Sequence, residues 1–596
     1  MWRGLSILFL AGAINNVCAQ LPQAVSITER TAPAPSAHAS AARNQSSTYL
    51  PLDSWVYPAM DRLAAMGYIS TSSAAIRPWT RLECARLLAE AHTTAGPLNE
   101  TVLPLTAALD QEFAFESRVL NGAANQAATM ESVYSRLTAI SGTPLRDSFH
   151  FGQTLIDDFG RPYGKGFNTV DGFSARAQAG AFSLYLRGEA QHAGALPTYN
   201  TAAQSAISTF DSLYLDGNLP YNWNLREGET NRLRSMEAYV AFTHADWQFS
   251  LGQQSLWWSP DRTTALMLSN NAEAMPMLRV ARVTPIRLPQ RLSWLGPLHV
   301  AAFLAKQGGV HYVALGRDFT LYGNADHALQ PAPALWGLHL TAKPSPWLEL
   351  GFAHTVIFAG YGRAFNLQSF LHTFSLLGNG QEVDPGKRVT ELNFTYQMPG
   401  LRRAVQLYSE AMAWDNPVEG KFVSRYAFSP GVYLPQLPVA HALDLRMEGY
   451  YTDLPGLTTP AYYYSNAHYP QGYTNYGQLL GSWIGRQGRG GQATSTYWFS
   501  ARNTATLSYR RMTADKAMLE GGSMSDLAGA LSFMARKNLQ CTFSTQYERW
   551  KFPLLYTQPQ SNFATTFEIK YFPKANLHLR RATPAAEAVN RTDSPH

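Results

Sequence analysis

Carboxylates recur where polar and apolar residues alternate: Glu237, Glu349, Glu410, Asp444, Glu448 and Glu548. Two carboxylates flanking one sugar bond would suit glycoside hydrolysis, one as the acid and one as the nucleophile or base. Nothing in their spacing pairs two of them. The plainer reading makes them wall charges neutralised by Arg187, Arg446 and Arg510. The chain has no G-x-S-x-G elbow. It has no H-E-x-x-H pair and no clustered Cys/His spacing for a metal. The sequence therefore reads as non-enzymatic, with no catalytic residue, no metal and no cofactor.

A second chemistry is better supplied. Long irregular stretches over residues 191–231, 255–278 and 453–495 are rich in Tyr, Trp, Asn, Gln and Arg. Aromatic faces beside amide and guanidinium donors suit sugar rings: the C–H face stacks and the hydroxyls bond to the polar groups. The candidate polysaccharide-binding residues are Trp257, Trp258, Asn270, Asn271, Tyr469, Tyr473, Tyr476, Trp483 and Arg486. The bland alternative is that each Tyr or Trp braces the fold while making one polar bond.

These stretches must hang on a scaffold, and the composition narrows it. Of 596 residues only 15% are charged and 12% are aromatic. An ordinary soluble domain carries about 25% charge. A net charge of +6 over this length does not support a nucleic-acid binder. Mean hydropathy is −0.20, and no mature apolar run reaches the ~18 residues a spanning helix needs.

Arg3, the apolar run Leu5–Ala13 and Val17-Cys18-Ala19 read as a cleaved secretory signal over residues 1–19. Export leaves Cys84 and Cys541, expected as unpaired packing residues in a helix and a strand. Residues 20–48 are rich in Ala, Ser and Pro and read as a disordered leader.

Residues 49–145 read as an α-helical unit. Asp53 or Ser54 can cap a helix with Trp55, Ala59, Leu63 and Met66 on one stripe, stopped at Gly67. Thr80-Arg81-Leu82-Glu83 is a capping box for a second helix. A third pattern runs from Leu98 to Leu120.

From about Phe149 the period becomes two. Phe182, Leu184 and Leu186 alternate with Ser183, Tyr185 and Arg187. Met236, Ala238, Val240 and Phe242 alternate with Glu237, Tyr239 and Thr243. Leu443, Leu445 and Met447 alternate with Asp444, Arg446 and Glu448. Roughly sixteen to eighteen such segments fit before residue 573, too many for one sandwich. Aromatics at segment ends (Trp247, Trp347, Tyr450-Tyr451, Trp550, Tyr571-Phe572) suit interfacial girdles. In lipid a sheet must close, because an open edge leaves backbone groups unpaired. The expected fold is mainly β: a closed antiparallel transmembrane β-barrel over residues 146–573, preceded by the helical unit. Residues 574–596 read as a disordered polar tail.

The stretch from Gly252 through Trp257-Trp258-Ser259-Pro260 to Leu268-Ser269-Asn270-Asn271-Ala272 resembles the capsule assembly protein Wzi family. So do Tyr469-Pro470-Gln471-Gly472-Tyr473-Thr474-Asn475-Tyr476 with Gly481-Ser482-Trp483-Ile484-Gly485, and Gln546-Tyr547-Glu548-Arg549-Trp550. The likeness covers most of residues 145–572, with Ser259 where Gly is usual. It implies an outer-membrane barrel of eighteen strands with a periplasmic helical bundle. It also implies a lectin-like role, holding capsular polysaccharide at the surface of a Gram-negative-type cell. Residues 53–88, with Gly67-Tyr68-Ile69 and Thr80-Arg81-Leu82-Glu83, resemble one S-layer homology motif. That likeness implies a cell-wall polymer as partner; the same residues would also serve as a plug for the barrel base. The expected partners are thus capsular or extracellular polysaccharide and outer-membrane lipid or lipopolysaccharide, without nucleic acid. The alternative function is an outer-membrane channel for small solutes or oligosaccharides, since a barrel of this size can hold an aqueous lumen.

Overall fold

The computed structural model describes residues 43–573, apart from 95–101, 197–198, 211–227, 309–331, 361–363, 375–385, 399, 402–403, 415–425, 454–461, 467–468 and 470. The expected signal peptide, most of the expected leader and the 574–596 tail lie outside the described residues. Residues 43–48, assigned to that leader by composition, are instead built in. Ser46, Ser47 and Thr48 are buried, and the Ser46 N–H donates to Gly180 O at 2.9 Å.

Four helices open the described chain: α1 Val56–Ala65, α2 Arg81–Thr94, α3 Leu103–Glu112 and α4 Ala114–Leu120. The first ends as its sequence requires. Gly67 takes φ +80°, its N–H reaches Ala64 O, and Tyr68 N–H reaches Leu63 O. These two bonds satisfy carbonyls that the helix end would leave unpaired. Only half of the capping box forms on α2. Glu83 N–H donates to Thr80 Oγ1 at 3.1 Å, but the Glu83 carboxylate turns to Arg86, at 2.6 and 2.7 Å. The charged pair outcompetes the neutral backbone donor. The expected third helix is two, broken at Phe113.

Eighteen strands then close into one antiparallel barrel. They begin with β1 Gln126–Gly142, β2 Gly166–Ala179, β3 Phe182–Ala193, β4 Thr230–His244, β5 Trp247–Gln254 and β6 Met275–Arg282. The next are β7 Pro297–Lys306, β8 Ala334–Ser345, β9 Leu348–Phe358, β10 Lys387–Gln397, β11 Gln406–Trp414 and β12 Tyr426–Leu434. The last are β13 Leu443–Tyr451, β14 Gly488–Trp498, β15 Thr504–Ala514, β16 Gly522–Arg536, β17 Leu539–Lys551 and β18 Gln560–Tyr571. Closure is made where β1 pairs with both β18 and β2. Helices α5 Thr201–Phe210 and α6 Leu367–His372 lie in the loops after β3 and β9.

The alternation points the expected way. Phe182, Leu184 and Leu186 are exposed on the outside, while Ser183, Tyr185, Arg187 and Glu189 are buried inside. A water-facing sheet would reverse this; an apolar outer wall belongs in lipid.

Four expectations need correction. The barrel begins at Gln126, not at residue 146, because a bulge between Met130 and Ser132 breaks the alternation that would have marked β1. Met236 is buried: it is the extra residue of a bulge opposite Arg187 and Gly188, so Met236 and Glu237 both turn inward. Trp550 and Tyr450 face the lumen rather than an interfacial girdle. Trp550 Nε1 donates to Thr143 O at 3.0 Å and Tyr450 Oη to Glu448 at 2.8 Å. Buried aromatics with polar handles gain more from those acceptors than from an interface.

The helical unit seats in the end of the barrel that carries the short turns. Arg62 donates to Pro435 O and His441 O, and Gln397 donates to Ala64 O. Glu349 on β9 accepts from Ser73 Oγ at 2.8 Å and Ala74 N–H at 3.0 Å. Arg187 on β3 pairs with Asp53. Cys84 is buried in α2, Cys541 sits on the outward side of β17, and both are free.

Candidate functional site

Loops from the opposite end fold back inside the barrel. Residues 255–274 enter the lumen and meet the helical unit there. Ile76–Arg77 and Trp257–Trp258 form a two-stranded ribbon, with Ile76 opposite Trp258 and Arg77 opposite Trp257. Lumen carboxylates hold this loop by its backbone. Glu448 accepts the N–H groups of Arg262 and Thr263 at 2.9 and 3.0 Å, and Glu410 accepts that of Leu266 at 2.9 Å. Most of the scattered carboxylates of the sequence are therefore tethers, while Asp444 accepts from the wall residues Thr496 and Trp498. Glu548 likewise accepts from Thr154 Oγ1 and Asn562, and Arg510 pairs with Asp526 at 2.6 Å.

The nine candidate residues fall into three groups. Trp258, Asn271, Tyr469, Tyr473, Trp483 and Arg486 are buried. Trp258 packs edge-on against Phe303 and His339. Asn271 Nδ2 donates to Leu479 O, and Tyr473 Oη meets Thr355 Oγ1 at 3.0 Å. Trp483 lies under the Arg510 guanidinium at 4.8 Å and edge-on to Tyr450. Arg486 covers the Phe149 ring at 4.5 Å. These six brace the inner loops against each other and the wall. Tyr476 stands apart: it is 52% exposed, beneath the Arg234 guanidinium at 5.3 Å. Trp257 and Asn270 border an internal cavity.

That cavity measures about 580 Å³. Trp55, Tyr57 and Asp61 of the helical unit, Trp257 and Arg262 of the inner loop, and Tyr433 and Arg446 of the wall border it. Its far side is the inner face of β14 to β17: Gln492, Thr494, Thr496, Thr504, Thr506, Ser532 and Gln540. Thr496 and Thr506 hydroxyls meet at 3.2 Å, and Gln540 donates to Ser532 at 2.7 Å. Sequence reasoning missed this wall. Its signal was the run of short Thr and Ser residues at every second position, where other strands place Arg, Glu and Tyr. Short side chains leave lumen unfilled.

A second cavity of about 730 Å³ lies between the helical unit and strands β1 to β3 and β16 to β18. It shares Asp53, Trp55, Pro58, Arg136, Arg502, Ser532 and Gln540 with the first. Two loop carboxyls edge the first cavity with opposite tendencies. Burial raises Asp157 to about 7, opposed by the Ser269 and Thr264 hydroxyls and the Arg510 charge. Burial also pushes Asp158 up, but Arg136 and Arg161 outweigh it and hold that carboxyl below its usual range. Among the described residues no group of three or more His, Cys, Asp or Glu side chains converges as a metal site.

The fold has a known counterpart. The fold matches the structure of Wzi from Escherichia coli, described as an outer-membrane protein involved in group 1 capsule assembly and a carbohydrate-binding β-barrel. The TM-score is 0.61 at 14% identity, covering 87% of this chain and 98% of that one. OccAB2 of Acinetobacter baumannii matches with TM-score 0.38 at 11% identity, over 74% of this chain and 98% of that one. OccD3 of Pseudomonas aeruginosa matches with TM-score 0.38 at 11% identity, over 76% and 93%. A search of curated proteins finds no match to the sequence. The model of one protein family, capsule assembly protein Wzi, matches residues 136–565, from within β1 to within β18. The span takes in the whole inner-loop system as well as the wall, and the chain belongs to the capsule assembly protein Wzi family.

Proposed function

We propose that this outer-membrane barrel is a non-enzymatic polysaccharide-binding protein that attaches or organises capsular or extracellular polysaccharide at the cell surface. The observation that carries the reading is the lumen cavity, where a wall of hydroxyl and amide side chains, with Trp498 among them, faces Trp55 and Trp257. Hydroxyls and amides bond sugar hydroxyls, and the indole faces stack on sugar C–H groups. The likeness to a carbohydrate-binding barrel supports it at the level of fold. Residues 1–19 act as the export signal in this reading. Outer-membrane lipid and lipopolysaccharide meet the apolar outer wall. Residues 53–88 serve as the plug: Thr80, Arg81 and Glu83 of the S-layer-like motif are buried, which disfavours a cell-wall polymer as their partner.

Deleting the gene and measuring cell-bound against shed polysaccharide tests the role. A shift from bound to shed with an unchanged total is expected. An unchanged partition and total would move the reading to an outer-membrane channel. A fall in the total would point to synthesis or export instead of retention.

A further inference from the structure

Charge is unevenly matched around the larger cavity, at the short-turn mouth of the barrel. Its four bordering carboxylates are all taken. Asp53 pairs with Arg187 at 2.8 Å, Glu112 with Arg81 at 2.9 Å, Glu131 with Arg176 at 2.9 Å and Glu568 with Arg136 at 2.7 Å. Three further cations border the same space: Arg502 on the β14–β15 turn, Lys537 on the β16–β17 turn and Lys570 on β18. None of the three has a carboxylate within ion-pair distance among the described residues.

Arg502 is also held in place. Its guanidinium lies over the Trp55 ring at 5.4 Å and the Phe572 ring at 4.6 Å. Its Nε and Nη2 atoms are buried without an acceptor. A buried donor with no partner is costly, and an anionic ligand oxygen would relieve that cost. Lys570 Nζ sits 5.5 Å over the Tyr134 ring and 5.9 Å over the Phe572 ring; its charge is felt at Asp53, but it makes no ion pair with that carboxylate. Beside these cations, Ser532, Gln540 and Thr542 offer hydroxyl and amide groups. The volume, about 730 Å³, falls within the roughly 300–1,000 Å³ of small-ligand pockets.

We propose that this mouth binds an acidic oligosaccharide segment, whose carboxylate or other anionic substituent is met by Arg502, Lys537 and Lys570 while Trp55 and the hydroxyl wall take the sugar ring. The cations select charge, and the aromatic and hydroxyl groups select a sugar over a bare anion. The inference rests on the polysaccharide-binding reading and narrows it to acidic sugars.

The test uses the detergent-purified full chain and calorimetric titration with two probes, oligogalacturonate as a uronic-acid oligomer and maltoheptaose as a neutral one. Wild type is expected to bind oligogalacturonate, more weakly at high salt, and to prefer it over maltoheptaose. The combined R502Q, K537Q and K570Q variant is expected to lose about tenfold or more in affinity for oligogalacturonate, as removal of charge-assisted bonds does. The single K537Q variant, on an exposed turn, guards against misfolding and should lose affinity in the same direction. K570R should retain binding. Equal affinity of wild type and the combined variant, or no binding of oligogalacturonate by wild type, overturns the inference. Titration with the cell's own polysaccharide separates the two levels. Binding that the combined variant leaves unchanged sinks the acidic mouth and keeps the broader reading. Binding of oligogalacturonate at the mouth without binding of the native polymer does the reverse.

Discussion

Arg187 on β3 grips Asp53, just ahead of α1, by two parallel bonds: Nη1 to Oδ1 at 3.2 Å and Nη2 to Oδ2 at 2.8 Å. This fork ties the helical plug to the barrel wall. The Arg187 side chain is almost fully buried, so the pair works where water competes little.

Replacing Asp53 with Asn should loosen that tie. Leaving one member of a buried pair without its partner costs roughly 3 kcal/mol or more. Here the loss should sit near the lower end, because Glu189 stays 3.7 Å from the guanidinium. A lower urea midpoint is expected. In planar bilayers, flickering openings should appear against a quiet wild type. Identical midpoints and identical traces would show that the pair does not hold the plug.

Acidity should tighten the inner loop around Asp157. Both of its carboxylate oxygens are buried, and burial raises its pKa from 3.8 to about 7. The folded protein therefore binds the proton more tightly than the unfolded chain. Stability from this group is full below pH 4 and falls as pH rises toward 7, by a few kcal/mol in order of magnitude. Amide exchange over residues 156–161 should be slower at pH 5 than at pH 8. Asp157→Asn should remove that difference. A loop whose exchange, corrected for intrinsic rates, ignores pH would refute the assignment.

Trp483 and Tyr476 should behave as opposites, although the sequence offers both as sugar contacts. Trp483→Ala empties a fully buried site and should cost about 3–5 kcal/mol. Tyr476→Ala changes a half-exposed ring and should leave thermal stability within about 0.5 kcal/mol. Thermal unfolding of the two variants checks this. Similar losses for both would contradict the bracing role.

Helix α6 should report lipid. It lies on the outer wall of β8 and β9, where Phe374 stacks on Trp336 at 4.7 Å and Trp336 Nε1 donates to Thr373. Leu367 and Leu371 face outward, 71% and 56% exposed. An environment-sensitive dye on Leu371→Cys should shift to the blue when the protein moves from a non-lipidic polymer to vesicles. The intrinsic cysteines are controlled by labelling the parent chain. An unshifted spectrum would place α6 in water.

Much of this architecture was legible in the sequence because a barrel in lipid writes a local rule. Each strand must alternate, so Leu443, Leu445 and Met447 against Asp444, Arg446 and Glu448 declare their faces within six residues. Gly67 declares the end of α1 because a left-handed backbone there penalises other side chains. The loop motifs that carry the family resemblance fold into the lumen. Their role was decided elsewhere. Trp257 and Trp258 are an aromatic pair in sequence; only their pairing with Arg77 and Ile76, far back in the chain, turns them into a strut across the lumen. Asn271 and Tyr473 look like sugar contacts until Leu479 O and Thr355 Oγ1 take their polar groups. Bulges at Glu131 and Met236 hid a strand start and flipped a residue, because one extra residue reverses the faces on either side of it. The open wall of Thr494, Thr496, Thr504 and Thr506 was visible only as small residues. Periodicity reports which way a side chain points; how much space remains in front of it depends on what the rest of the chain brings there, and that is a tertiary fact.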